Sequence, residues 1–163
     1  MKQTKYLLTI LALVLLQSCT DNKIEQLEQE ISNLKKSQYQ PGLGEIMGYI
    51  QVRHAKLWFA GQAENWNLAQ YELEELEEGF TDIKSMHRIH EKLPKPSAVM
   101  IDETMSTPIK GLRQSIAVKN ISQFNLSYQL LTNACMACHT ASGVTYIKLA
   151  IPTNPPYSNQ TYK

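Results

Sequence analysis

The residues with the plainest chemical purpose in this chain are Cys135-Met136-Ala137-Cys138-His139. Two thiols three positions apart lie side by side on a helix. That spacing matches the two vinyl groups on adjacent pyrrole rings of haem, and each thiol can add across a vinyl to form a thioether. His139 lies one turn beyond Cys135, so its imidazole can reach the iron from the proximal side. With 3 Cys and 4 His in 163 residues, shuffling would produce this pattern roughly once in a thousand chains. Covalent haem c, one per chain, is therefore the cofactor expected.

Other uses of a cysteine pair fit less well. A structural zinc site wants two further Cys or His at ligand spacing, and the sequence holds no second C-x-x-C and no H-x-x-x-H. A redox dithiol belongs at a helix N-terminus, where the dipole lowers the thiol pKa, whereas this pair falls at a helix end. A disulfide between i and i+3 within a helix is strained. No catalytic triad, phosphate loop or pair of catalytic carboxylates is evident, so no enzymatic activity is expected. With 16 Lys+Arg against 15 Asp+Glu, the chain lacks the basic excess that nucleic-acid binding requires.

The elements that must position the motif read as helices, with almost no strand signal. A first helix is expected from about Gly44 to Ala60, with Met47, Ile50, His54 and Leu57 on one face and Gly61 as its stop. A second carries the longest seam, Trp66, Ala69, Leu73, Leu76, Phe80, Ile83, His87 and His90, ended by Pro94 and Pro96. Its run Glu72, Glu74, Glu75, Glu77, Glu78 reads as a solvated face. A third is expected from Ser106 to Lys119, with Pro108 in its first turn and Ile109, Leu112 and Ile116 inward. The fourth follows a tight turn at Asn120, with Phe124, Tyr128, Leu131, Cys135 and Cys138 on one stripe. Short connections imply antiparallel neighbours, hence an all-α, up-down-up-down four-helix bundle.

Ahead of the bundle, Lys2 and Lys5 precede an apolar run from Tyr6 to Leu16, too short to span a bilayer and suited to a secretory signal. Leu16-Gln17-Ser18-Cys19 resembles the lipobox of bacterial lipoproteins, which implies cleavage before Cys19, lipidation of its thiol and an extracytoplasmic, membrane-anchored protein. Thr20 in the next position leans toward the outer membrane. Residues 1–18 are thus expected to be a signal peptide and 19–40 a lipid-anchored stalk. In the stalk, Ile24, Leu27, Ile31 and Leu34 follow an a/d spacing among Glu and Lys. Two heptads are few for a self-sufficient coiled coil, so it reads as a solvated helical spacer or a short oligomerising stalk. Pro41-Gly42 marks the start of the domain, 41–163.

The position of the motif near the C-terminus, with Thr107-Pro108-Ile109-Lys110-Gly111-Leu112 and Leu131-Thr132-Asn133-Ala134 leading to it, resembles the cytochrome c′ family of class II cytochromes c. The likeness covers residues 43–142 as architecture and is specific over the last helix. Arg53-His54-Ala55-Lys56-Leu57-Trp58-Phe59-Ala60-Gly61, with Asn65-Trp66, looks like an uncharacterised group of bacterial c-type haem proteins. The resemblance implies Cys135 and Cys138 as haem attachment points and His139 as axial ligand. After His139 the sequence departs from the family pattern, since Thr140-Ala141-Ser142-Gly143 ends the helix. Val144 to Ile151 is too apolar to hang in water and is expected to fold back over the haem end in extended form, before a Pro155-Pro156 tail.

In such a bundle, Met47, His54, His87 and His90 are the residues near the iron. Met47 or His54 is the candidate sixth ligand. The two lie about 10 Å apart at 1.5 Å per residue, so only one can reach. Met47 would give a His/Met haem of raised potential, and His54 a bis-histidine haem of lower potential. His87 and His90 read as packing or propionate partners, Trp58, Trp66 and Tyr128 as core or haem-wall aromatics, and Arg53 and Lys56 as solvated charge or propionate partners. The function expected is a membrane-tethered monohaem cytochrome relaying single electrons to extracytoplasmic redox partners. The alternatives are a five-coordinate haem protein that binds NO or CO, and a haem-bearing accessory subunit of a respiratory complex.

Overall fold

A computed structural model describes residues 23–34 and 39–163, with helices and irregular chain and no strand among the described residues. Helix α1 covers 23–34, followed by α2 (Leu43–Gln62), α3 (Trp66–Met86), α4 (Ser97–Ala117) and α5 (Ile121–Ala141). The chain divides at Gln40/Pro41 into two units. In the first, α1 exposes Ile24, Leu27, Ile31 and Leu34, each at 50–63%.

In the second unit every helix buries one stripe. Ile46, Ile50, His54 and Leu57 recur on α2, and Ala69, Leu73, Leu76, Phe80 and Ile83 on α3. Ile101, Met105, Pro108, Leu112 and Ile116 do so on α4, and Phe124, Tyr128, Leu131 and Cys135 on α5. Spacings of three and four keep each stripe on one face. The four stripes join in a single apolar core, in which each fully buried Leu contributes about 1.5–3 kcal/mol. α2 packs closely on α3 and α4 on α5, α3 also meets α4, and α2 and α5 approach each other more sparsely.

Two tight turns share one design. Glu64 and Lys119 take a left-handed φ of 53°, and the next residue in each case, Asn65 or Asn120, caps the following helix. Asn65 accepts the Leu68 N–H at 3.2 Å and Asn120 the Gln123 N–H at 3.0 Å. Gly61 is therefore not the stop of the first bundle helix, which runs on to Gln62. Its lack of a side chain serves close packing instead: a Cβ there would lie 2.1 Å from Phe124 Cε1.

Three other expectations are corrected. α4 begins at Ser97, nine residues before Ser106, and Pro108 lies inside it. The missing Pro108 N–H is tolerated because Met100, Ile101 and Met105, in the turns before it, are buried, and tertiary packing outweighs the local cost of about 3 kcal/mol. The buried Ser97 hydroxyl donates to the Ile83 carbonyl at 3.3 Å, which ties the start of α4 to the end of α3. The seam of α3 stops at Met86. His87 is its C-cap and donates from Nε2 to the Pro41 carbonyl at 2.9 Å, and His90 lies in the loop, its Nδ1 accepting the Lys92 N–H. Finally, Glu72 is not on a solvated face. It is 1% exposed, with Arg53 Nη1 at 3.2 Å and Lys56 Nζ at 3.9 Å.

After α5, Gly143 at φ 72° turns the chain, and the Val144 N–H closes on the His139 carbonyl at 3.0 Å. The segment that follows has neither helix nor strand. Leu149 donates its N–H to Met136 Sδ at 3.0 Å. Near the C-terminus, Tyr162 is buried against Phe59, ring centroids 5.6 Å apart, and its carbonyl accepts from Asn65 Nδ2 at 3.2 Å.

Candidate functional site

The last two turns of α5 carry Cys135, Cys138 and His139. Cys135 is buried, Cys138 is half-buried, and neither is in a disulfide. Burial pushes the Cys135 thiol up to about 12, with the Cys138 sulfur adding to the shift. Burial also raises Cys138, opposed by a hydrogen bond from Ser142. Both thiols thus stay protonated at neutral pH, the reverse of what a redox dithiol needs. Among the described residues no three His, Cys, Asp or Glu side chains are grouped to hold a bare metal ion.

His139 Nδ1 is buried with no hydrogen-bond partner, as are Arg53 Nε and Tyr162 Oη. Native structures satisfy nearly all such atoms, and leaving one unmade costs about 1–3 kcal/mol. Two free thiols at vinyl spacing, with an imidazole one turn beyond the first, fit a group bound at that end of α5. The donor set is right for haem: two cysteines for thioethers and one histidine for iron.

Across the core, α2 supplies the opposing side chains. Gly61 abuts Phe124, and His54 meets Tyr128 and Thr132, so rising numbers on α2 meet falling numbers on α5. Continued at the helical rise, this register brings Met47 level with Cys138, while His54 lies about 10 Å further along. Met47 is half-buried and packs against the core.

His54 meets a hydroxyl at each ring nitrogen. Tyr128 Oη lies 2.9 Å from its Nδ1 and 2.8 Å from its carbonyl, while Thr132 Oγ1 lies 3.0 Å from its Nε2 and 3.1 Å from the Tyr128 carbonyl. Burial lowers His54 to about 4, so the ring is neutral at pH 7 and has one N–H to give. With three protons for these four contacts, the protonated ring nitrogen donates to one hydroxyl, and the other nitrogen is used only where the second hydroxyl donates to it in place of its backbone carbonyl. Burial also raises the Tyr128 phenol. The rings of Trp58 and Phe124 continue the same seam, 4.8 and 6.0 Å from Tyr128, and Trp66 meets Phe124 edge-on at 6.1 Å.

Sequence reasoning placed Cys135, Cys138, Met47 and His54 on inward faces and His139 one turn beyond Cys135, and all five fall on α2 and α5. It missed Thr132 as a partner of His54, although a Thr one turn after an inward Tyr was the available signal. It also missed where Arg53 and Lys56 point. Besides Glu72, Arg53 reaches Glu75 at 2.8 Å, and Glu75 accepts from Tyr49 at 2.5 Å. Burial, and then the Glu75 carboxylate, push the Tyr49 phenol up to about 12. Lys56 stands 5.5 Å from the Tyr157 ring. Two surface clefts of about 320 and 340 Å³ lie between α3 and α4 and at the α2–α3 face, and no α5 residue lines either. Cys19 lies outside the described residues. No described helix is long and apolar enough to cross a membrane.

No protein-family model, curated protein or solved structure matches the chain.

Proposed function

We propose that this protein is a monohaem c-type cytochrome that passes single electrons between extracytoplasmic redox partners, held to a bacterial membrane by lipid on Cys19. The observation that carries the reading is Cys135-x-x-Cys138-His139 at the end of α5, with both thiols free. Bound haem supplies a one-electron iron couple there. Cys135 and Cys138 hold it through thioethers and His139 binds the iron. Met47 is the sixth ligand, because it is level with Cys138 and His54 has its ring nitrogens against the Tyr128 and Thr132 hydroxyls. The bundle runs up-down-up-down, supported by the three-residue turns at Ala63–Asn65 and Val118–Asn120 and by the ion pairs Lys84–Asp102 and Arg113–Glu77 between α3 and α4. The segment after Gly143 is a tail that returns to the domain, supported by the Leu149 and Tyr162 contacts.

The test is the absorption spectrum of holoprotein made in a host that attaches haem c, oxidised and reduced, with and without CO. A low-spin spectrum untouched by CO is expected, lost in Met47→Ala and kept in His54→Ala. A high-spin spectrum that shifts with CO would replace electron transfer by gas binding. No covalent haem on the chain would end the reading altogether.

A further inference from the structure

We infer that α1 is one strand of a parallel two-stranded coiled coil formed with a second copy of this chain. Ile24, Leu27 and Ile31 are each at least half exposed, and Leu34 holds the next position of the same seam. Their spacing of three, four, three is the 3.5-residue period of a coiled coil. The residue types are specific. Ile at both a positions and Leu at both d positions is the combination that favours two parallel strands over three or four.

The flanking charges complement a second copy in that register. Lys23 and Glu30 stand at g and Glu28 at e. A parallel dimer pairs each g residue with the e residue five positions later in its partner. Lys23 is then paired with Glu28, opposite in sign. A membrane surface is a poorer occupant of the seam. Interfacial helices carry Lys and Arg on the polar face, whereas Glu25, Glu28 and Glu30 flank this stripe.

A seam of two heptads is marginal for free chains in solution. The dimer therefore draws on the proposed Cys19 anchor, which confines the copies to one surface and raises their effective concentration. The inference rests on the functional reading in that respect alone.

The test uses the full chain in the membranes of a host that performs lipidation and haem attachment. Leu27→Cys is compared with Gln29→Cys, at the outward f position, under mild oxidation. A disulfide needs Cα atoms within about 7 Å, which two copies of residue 27 satisfy in a parallel pair only. Leu27→Cys is expected to yield linked dimer at roughly tenfold or more over Gln29→Cys. Reversing the charge with Lys23→Glu in the Leu27→Cys chain should cut that yield about threefold, and adding Glu28→Lys should restore it. Equal yields at 27 and 29, or none at 27, overturns the inference. Incorporation of labelled fatty acid and haem staining of the same samples score the anchor and the cofactor separately, so failure of either is distinguishable from failure of the dimer.

Discussion

His54 links the fold to a measurable pH dependence. In the unfolded chain its imidazole binds a proton near pH 6.5, and in the folded core it does so near 4. Between those values the unfolded state binds more protons than the native state, so stability falls as pH is lowered. The contribution is fully present above about 6.5 and is lost as pH falls toward 4. With each pKa unit worth 1.36 kcal/mol, the loss is about 2 kcal/mol at pH 5 and about 3 kcal/mol at pH 4. The physical cause is burial: a charged imidazole would sit in the core between Tyr128 and Thr132 with no carboxylate among its hydrogen-bond partners.

The perturbation is His54→Gln, which keeps a polar side chain and removes the titration. Urea unfolding of holoprotein, followed by helical circular dichroism at pH 7, 5 and 4, gives the difference between wild type and variant. Whatever the variant loses at pH 7, the gap should move in its favour by about 3 kcal/mol on going to pH 4. A gap that stays constant over this range would refute the assignment of a neutral, buried, hydrogen-bonded His54. The haem spectrum of the same variant at pH 7 is expected to match wild type, because the ring nitrogens face the Tyr128 and Thr132 hydroxyls within the core.

Two substitutions at the opposite end of the domain probe its packing. Gly61→Ala drives a methyl into the Phe124 ring and should cost about 1–3 kcal/mol in chemical denaturation, with part of the loss recovered in Gly61→Ala/Phe124→Leu. Tyr162→Ala removes the buried ring that packs on Phe59. It should cost about 2–3 kcal/mol with no change in the haem spectrum, which separates a structural fastening from a haem contact.

How far each feature could be read beforehand follows from the range of the interaction behind it. The stripe of α5 was legible because its period depends on the chain alone, and the Cys135 to His139 spacing is likewise local. Pro108 misled because its local meaning, a first-turn residue, is usually right; what keeps α4 continuous through it is the burial of Met100, Ile101 and Met105. Gly61 misled in the same way, since its reason for lacking a side chain is Phe124, 63 positions away. Glu72 was hidden by its neighbours. It belongs to a run of carboxylates, and only the fold separates Glu72 and Glu75, which meet Arg53, from the exposed Glu74 and Glu78.

For the proposed haem, the choice of sixth ligand would show the same division more sharply. From spacing, Met47 and His54 are equivalent, one and three turns into the same helix face. Their difference arises entirely from α5. Where α2 and α5 pass, the residue opposite His54 is a Thr one turn after a Tyr, and the two hydroxyls lie against both ring nitrogens. An iron bond at His54 would displace one hydroxyl from the ring, and that hydroxyl would keep its contact with a backbone carbonyl, 2.8 Å for Tyr128 and 3.1 Å for Thr132. Met47 gives up no hydrogen bond to serve as a ligand. The thioether is a weaker ligand than imidazole in isolation, and the proposed preference for it would come from the partners that the competing side chain has already found.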